Sequence, residues 1–243
     1  METALILGAT SDIAQAIAGK LADRGYDLVL AARDMDYLQR IQQHIQIRYP
    51  VNVKILQFEA TDFNSHRQFV QNLNPFPEVT IVCFGYLGKQ EFAEEKWEEA
   101  EKVLFVNYVG AVSVLNHIAK VYKTKGGGTI VGVSSVAGDR GRKSNYLYGS
   151  AKAGLTAYLS GLRNQLYPFG VHVLTVKPGY VCTRMTEDMQ LPSILVASPE
   201  NVAQKIEKAI RRKENVIYIK SIWRWIMLCV SIIPENMFKR MRW

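Results

Sequence analysis

The chain has 243 residues, 48% hydrophobic and 21% charged, enough apolar side chain for a buried core, which excludes a disordered segment. Thirty Lys and Arg against 22 Asp and Glu leave +8, a balance that favours anionic partners without choosing among nucleotides, nucleic acid and acidic lipid. Cys83, Cys182 and Cys229 form no CxxC pair and the four histidines show no HxxxH spacing, so neither a disulfide framework nor a metal site is indicated, and a reducing, cytoplasmic compartment fits.

The N-terminal METALILGAT has no cationic stretch before its apolar run and reads as a strand rather than a signal peptide. From residue 4 to residue 220, short β-type runs alternate with longer amphipathic segments. ALIL is followed by a helix over about 11–24, the strand DLVLAA, a helix over about 36–49 and the strand VNVKILQF. VTIVCF then precedes one long helical stretch to about residue 123, and TIVGVSS follows the glycines at 126–128. A helix over about 148–167, the strand VHVLTVKP, an irregular loop at 180–198, a helix over about 199–213 and the strand NVIYIK complete the pattern. The alternation predicts a Rossmann-type α/β/α sandwich with a doubly wound, mostly parallel seven-stranded sheet. No stretch reaches the ~18 uncharged apolar residues of a spanning helix.

Two constellations carry chemistry. LGATSDIAQAIA follows the first strand, with Gly8 at a tight turn that leads into a helix, the arrangement that holds a pyrophosphate on backbone N–H groups. In SSVAGDRGRKSNYLYGSAKAG, Ser135 ends the fifth strand, while Tyr148 and Lys152 lie one helical turn apart on a common face. A tyrosine that donates a proton near neutrality must be shifted by about 3 units, and a neighbouring ammonium has the right sign. Ser135 can donate to the oxygen on which charge develops.

With these motifs in place, the chain resembles the short-chain dehydrogenase/reductase family over almost all of residues 4–220. YGSAK, SSVAG, VNYVGA and KPGYVCT stand in that family's order. The resemblance implies a tetrad of Asn107, Ser135, Tyr148 and Lys152, with Asn107 holding a water in the proton path. It implies cofactor contacts from Gly8, Thr10, Ser11, Asp12, Ile13, Glu59, Ala60, Gly85, Tyr148, Lys152, Pro178, Gly179, Val181 and Thr183. Two departures stand out: the glycine turn carries Asp12 and Ala14, and VCFG replaces the family's NNAG. Asp12 beside a pyrophosphate would repel it unless its side chain caps the helix or turns outward. GATSDIA, FGYLG and VKPGYVCTRMT further resemble the decaprenylphosphoryl 2-keto-pentose reductases. That implies a lipid-linked sugar substrate, an oxidase partner that makes the keto sugar, and a bacterial envelope-glycan pathway.

The second strand ends without an acid at Ala31 or Ala32, and Arg33 follows, which favours NADP(H) over NAD(H). Asp62 reads as a helix cap. Arg140, Arg142 and Lys143, in the loop between Ser135 and Tyr148, are candidate anchors for a phosphate-linked substrate or else a solvated turn. The expected assembly is a homo-oligomer through the two long central helices, and no motif points to nucleic acid. The chain thus divides into a catalytic region, residues 1–220, and an aromatic-basic tail, residues 221–243. From Lys220 onward, five cations against one acid give +4, half of the chain's +8. The tail reads either as a membrane-interface anchor or as a segment packed on the seventh strand or on a neighbouring subunit. The function that follows is reduction of a ketone on a polyprenyl-phosphate pentose. Reduction of a soluble ketone and cofactor sensing without turnover are the competing readings.

Overall fold

The computed structural model describes residues 2–187 and 192–241 and realises the alternation of apolar periods as alternating strands and helices. β1 (Thr3–Leu7) leads to α1 (Asp12–Asp23), β2 (Asp27–Ala32), α2 (Met35–Arg48), β3 (Val53–Gln57), α3 (Phe63–Gln71) and β4 (Val79–Val82). Next come α4 (Gln90–Glu95), α5 (Trp97–Leu104), a π-helical turn at Phe105–Val109, α6 (Gly110–Lys125) and β5 (Gly128–Val133). α7 (Tyr146–Leu166), β6 (Val171–Lys177), β7 (Tyr180–Val181), β8 (Val196–Ala197), α8 (Pro199–Arg211), β9 (Val216–Tyr218), α9 (Ile222–Ile232) and α10 (Glu235–Phe238) follow.

Seven strands form one parallel sheet in the order β3-β2-β1-β4-β5-β6-β9. Chain order reverses between β1 and β4, so a crevice opens at the C-terminal strand ends there. Successive β1 side chains point to opposite faces: Ala4 and Ile6 pack with Ile17 of α1, Leu38 of α2 and Ile206 of α8. Leu5 and Leu7 pack on the other side with Val70 of α3, Leu115 of α6 and Leu159 of α7. Three helix starts are fastened by their own side chains, each worth about 1 kcal/mol. Ser11 Oγ accepts from Ala14 N, Asp34 Oδ1 from Tyr37 N, and Ser198 Oγ from Asn201 N.

Several expectations need correcting. Asp62 occupies the first cap position of α3, but its side chain makes no capping bond. The single long helix before β5 is broken at Lys96, whose φ −124° and ψ 112° are extended, and again loosens at Phe105–Val109. Residues 97–125 are long and apolar enough to cross a membrane, yet Ala111, Val114, Leu115 and Ile118 are buried in the core. Within the loop read as irregular, β7 and β8 pair in parallel, and at two residues each they are too short to show a period. The tail is helical: Trp223, Met227 and Val230 of α9 are buried with Val136 and packed by Tyr180 and Leu195.

Candidate active site

The crevice beside β1 is a cavity of about 440 Å³ lined by Gly8, Thr10, Ser11, Arg33, Glu59, Ala60 and Gly85, all expected from the sequence. Gly8 has φ +82°, and a Cβ there would lie 2.6 Å from Phe84 N, so the turn tolerates no side chain. The first-turn N–H groups of α1, including those of Asp12 and Ile13, have no partner within the helix and form a donor set suited to an anion. Asp12 is not left as a bare charge in this set. Its carboxylate accepts from Arg184 N at 2.9 Å and from Arg184 Nε at 3.0 Å, and Arg184 Nη2 reaches Thr10 O at 2.6 Å. The acid that the glycine turn should not carry is therefore neutralised by a guanidinium that itself lines the cavity.

Arg184 is the residue that sequence reasoning missed, and the unexplained Asp12 was its signal. Lys102 also lines the cleft, with Nζ 4.2 Å from the Tyr86 ring centroid. Arg33, with its side chain 74% exposed, stands at the rim with Nε 3.6 Å from Glu59 Oε2. Asp34, next to Arg33 in the chain, is occupied as the cap of α2, accepting from Tyr37 N at 2.9 Å.

The tetrad residues converge across three elements. Asn107 is buried in the π-helical turn, where Oδ1 accepts from Tyr86 N at 3.2 Å and Nδ2 donates to Tyr86 O and Val103 O at 2.6 and 2.8 Å. A Cβ at Gly85 would lie 3.0 Å from Asn107 Oδ1 and 3.6 Å from Lys152 Nζ, which puts those two side chains on one wall. Lys152 Nζ donates to Val133 O at 3.1 Å and lies 5.6 Å from the Tyr148 ring centroid. Ser134, just before Ser135, holds α7 in place by donating to Lys152 O at 2.9 Å and meeting Thr156 Oγ1 at 2.7 Å. Ser135 Oγ accepts from Ala137 N at 3.1 Å and reaches Pro178 O at 3.5 Å.

The electrostatics depart from the expectation that Lys152 pulls the Tyr148 phenol down. Burial pushes Tyr148 up to about 12, with Ser135 hydrogen bonding pulling the other way. Burial also brings Lys152 down to about 8. At neutral pH the phenol therefore keeps its proton and Lys152 is mostly charged. This is the protonation state of a site that gives a proton to an oxyanion.

Pro178 and Gly179 form the turn after β6, where Pro178 O also accepts from Val136 N at 2.9 Å. Val181 is buried in β7, and Thr183 Oγ1 lies 3.4 Å from both Val181 O and Thr186 Oγ1. Of the three expected substrate anchors, Arg140 is corrected. Its guanidinium donates to Ser231 O and Ile233 O at 3.1 and 3.2 Å, pairs with Glu235 at 2.6 Å, and stacks on Phe238. It caps the carbonyl end of α9 and holds the tail rather than a ligand. Arg142 Nε and Asn145 Oδ1 are shielded from solvent without a hydrogen-bond partner, and Lys143 is exposed.

A doubly wound sheet with a glycine turn at its first strand end and a Ser, Tyr, Lys set at β5 and α7 defines a nucleotide-dependent oxidoreductase of alcohols and carbonyls. The chain belongs to the short chain dehydrogenase family, whose model matches residues 2–192. It is 36% identical over 241 residues to an uncharacterized oxidoreductase of Mycobacterium tuberculosis, covering 98% of this chain and 96% of the relative. An uncharacterized oxidoreductase of Streptomyces coelicolor is 34% identical over 240 residues, with 98% and 94% covered. Among solved structures, a short-chain dehydrogenase from Sphingobium yanoikuyae in complex with NADPH superposes with a TM-score of 0.85 at 25% identity, covering 100% of this chain and 97% of that one.

Proposed function

We propose that the protein is an NADPH-dependent reductase of a ketone on a polyprenyl-phosphate-linked pentose. Gly8, Thr10, Ser11 and Gly85 line the cleft that would hold the dinucleotide, and its nicotinamide would supply the hydride. Tyr148 gives its proton to the carbonyl oxygen, Ser135 donates a hydrogen bond to the same oxygen, and Lys152 keeps positive charge behind the phenol. Asn107, pinned to Tyr86, fixes the wall against which Lys152 lies.

The observation that carries the substrate class is Arg142. A half-buried guanidinium with an unpartnered Nε, in the loop that leads to Tyr148, suits a phosphate brought into the mouth. In this reading the substrate comes from an oxidase that makes the keto sugar, copies of the chain pair through α6 and α7, and the enzyme works at the cytoplasmic face of the membrane. The deciding experiment supplies the oxidised polyprenyl-phosphate pentose and NADPH and follows the 2-hydroxy product. Reduction of that lipid by wild type, lost in Arg142→Ala while a small soluble ketone is still turned over, is the expected result. Turnover of soluble ketones alone, with the lipid untouched, overturns it.

The cofactor choice follows from the rim of the cleft. Arg33 presents a largely exposed guanidinium where an acid would oppose a 2′-phosphate, and the Sphingobium relative carries NADPH. Arg33→Ala should weaken NADPH about tenfold, the worth of one charge-assisted contact, and leave NADH nearly unchanged. Fluorescence titration with both cofactors reads this directly, and tighter NADH binding by wild type would remove the assignment.

A further inference from the structure

The two faces of α9 are used differently. Trp223, Met227 and Val230 are buried, whereas Ile222, Trp225, Leu228 and Ile232 are 44%, 64%, 52% and 73% exposed. Spaced by three or four residues, these four form one apolar ridge along the outside of the helix. Beside the ridge, between α8, β9 and α9, lies a cavity of about 740 Å³, and no tetrad residue lines it. Lys208, Arg212 and Arg224 line it together with Trp225 and Leu228. Among the described residues none of these three cations has a carboxylate within ion-pair distance. Two acids also line the cavity: Asp139 is bound to Lys177 and Tyr218, which leaves Glu214.

We infer that this face of α9 and α8 seats the protein on an anionic lipid bilayer, with the ridge in the interface and the cations on the headgroups. Charge decides between occupants. A second copy meeting this face about a two-fold axis would bring Lys208, Arg212 and Arg224 against the same residues of its partner, whereas an anionic surface complements all three. Length decides the mode. Eleven residues span about 16 Å, roughly half of the ~30 Å hydrocarbon layer, so α9 lies along the surface and does not cross it.

The inner side of the same helix is fastened to the active site. The Trp223 indole lies against Gly179, where any Cβ would sit 2.0 Å from Nε1, and Nε1 donates to Leu195 O at 3.2 Å. Arg140 ties the carbonyl end of α9 to the loop between Ser135 and Tyr148. Docking the outer face therefore fixes how the mouth of the site is presented to the membrane. The tail's aromatic residues thus divide between two roles: Trp223 packs inward, Trp225 faces out, and Arg242 and Trp243 lie outside the described residues. The inference stands on this surface alone and holds whichever ketone is reduced.

The test uses the full chain, without substrate, in sedimentation with vesicles of phosphatidylcholine alone or doped with phosphatidylglycerol. Wild type should pellet with the doped vesicles only and be released by salt. Lys208→Gln/Arg212→Gln/Arg224→Gln should weaken binding about fivefold per cation, and Trp225→Gln/Leu228→Gln at least about tenfold, both keeping the wild-type circular dichroism and NADPH affinity. The cation variant changes only exposed side chains, so it keeps the test decisive if the ridge variant misfolds. No pelleting of wild type, equal pelleting with neutral vesicles, or a ridge variant that turns a dimer into a monomer without affecting vesicle binding would each overturn the inference.

Discussion

Tyr148→Phe is expected to lower kcat by about 10³-fold while leaving NADPH affinity near wild type. The substitution removes one oxygen and keeps the ring, so the contact between the ring and Lys152, at 5.6 Å, and the packing of α7 survive. What disappears is the phenol hydroxyl, which burial pushes up to about 12 and so keeps protonated near neutrality. Ser135 stays behind and still polarises the carbonyl, so a residual rate is expected rather than none. Single-turnover kinetics beside a cofactor titration separates the two quantities. A variant with near-normal kcat would mean that another group gives the proton. With the phenol pushed up to about 12, a loss of reduction above about pH 8 is expected from Lys152, whose ammonium is brought down to about 8.

The strands and most helices were legible because β1, β2 and β6 are short apolar runs bounded by glycine or proline, and Ser11, Ser198 and Pro199 mark helix starts. The placing of Tyr148 and Lys152 side by side was legible for a similar reason, since they are one turn apart on a single helix. What escaped is what tertiary contact decides. Asp12 and Arg184 are separated by 172 positions, so the sequence could show an acid in the wrong place but not the guanidinium that answers it. Arg140 read as a substrate anchor or a solvated turn because its partners, Ser231, Ile233 and Glu235, lie 91 to 95 residues away in the tail. The π-helical turn that positions Asn107 was hidden, because at five residues it is too short to show a period of its own. The direction of the phenol's shift was misjudged for a physical reason. A neighbouring ammonium was counted, while the desolvation of both groups, which depends on everything packed around them, was invisible.

Lys152→Met is expected to abolish turnover and, measured without cofactor at pH 7, to stabilise the fold by about 1–2 kcal/mol. The buried ammonium titrates at about 8 rather than 10.5, a difference equivalent to about 3 kcal/mol of unfavourable burial of the charged form. Against this stands the hydrogen bond to Val133 O, whose loss returns about 1–2 kcal/mol. The sign with pH follows from the direction of the shift. Between about 8 and 10.5 the unfolded chain holds a proton that the folded chain has released, so wild-type stability from this group rises as pH increases through that window. The advantage of the methionine variant should therefore be largest below pH 8 and be lost as pH rises toward about 10.5, where the folded lysine is neutral and the unfolded one has released half of its proton. Urea unfolding of both proteins at pH 7 and pH 10 measures it. A constant difference across that range, or a less stable variant at pH 7, would show that Lys152 is not a charge held in the core against its solvation. The expected result would instead show a fold that tolerates a destabilising cation where the reaction needs one.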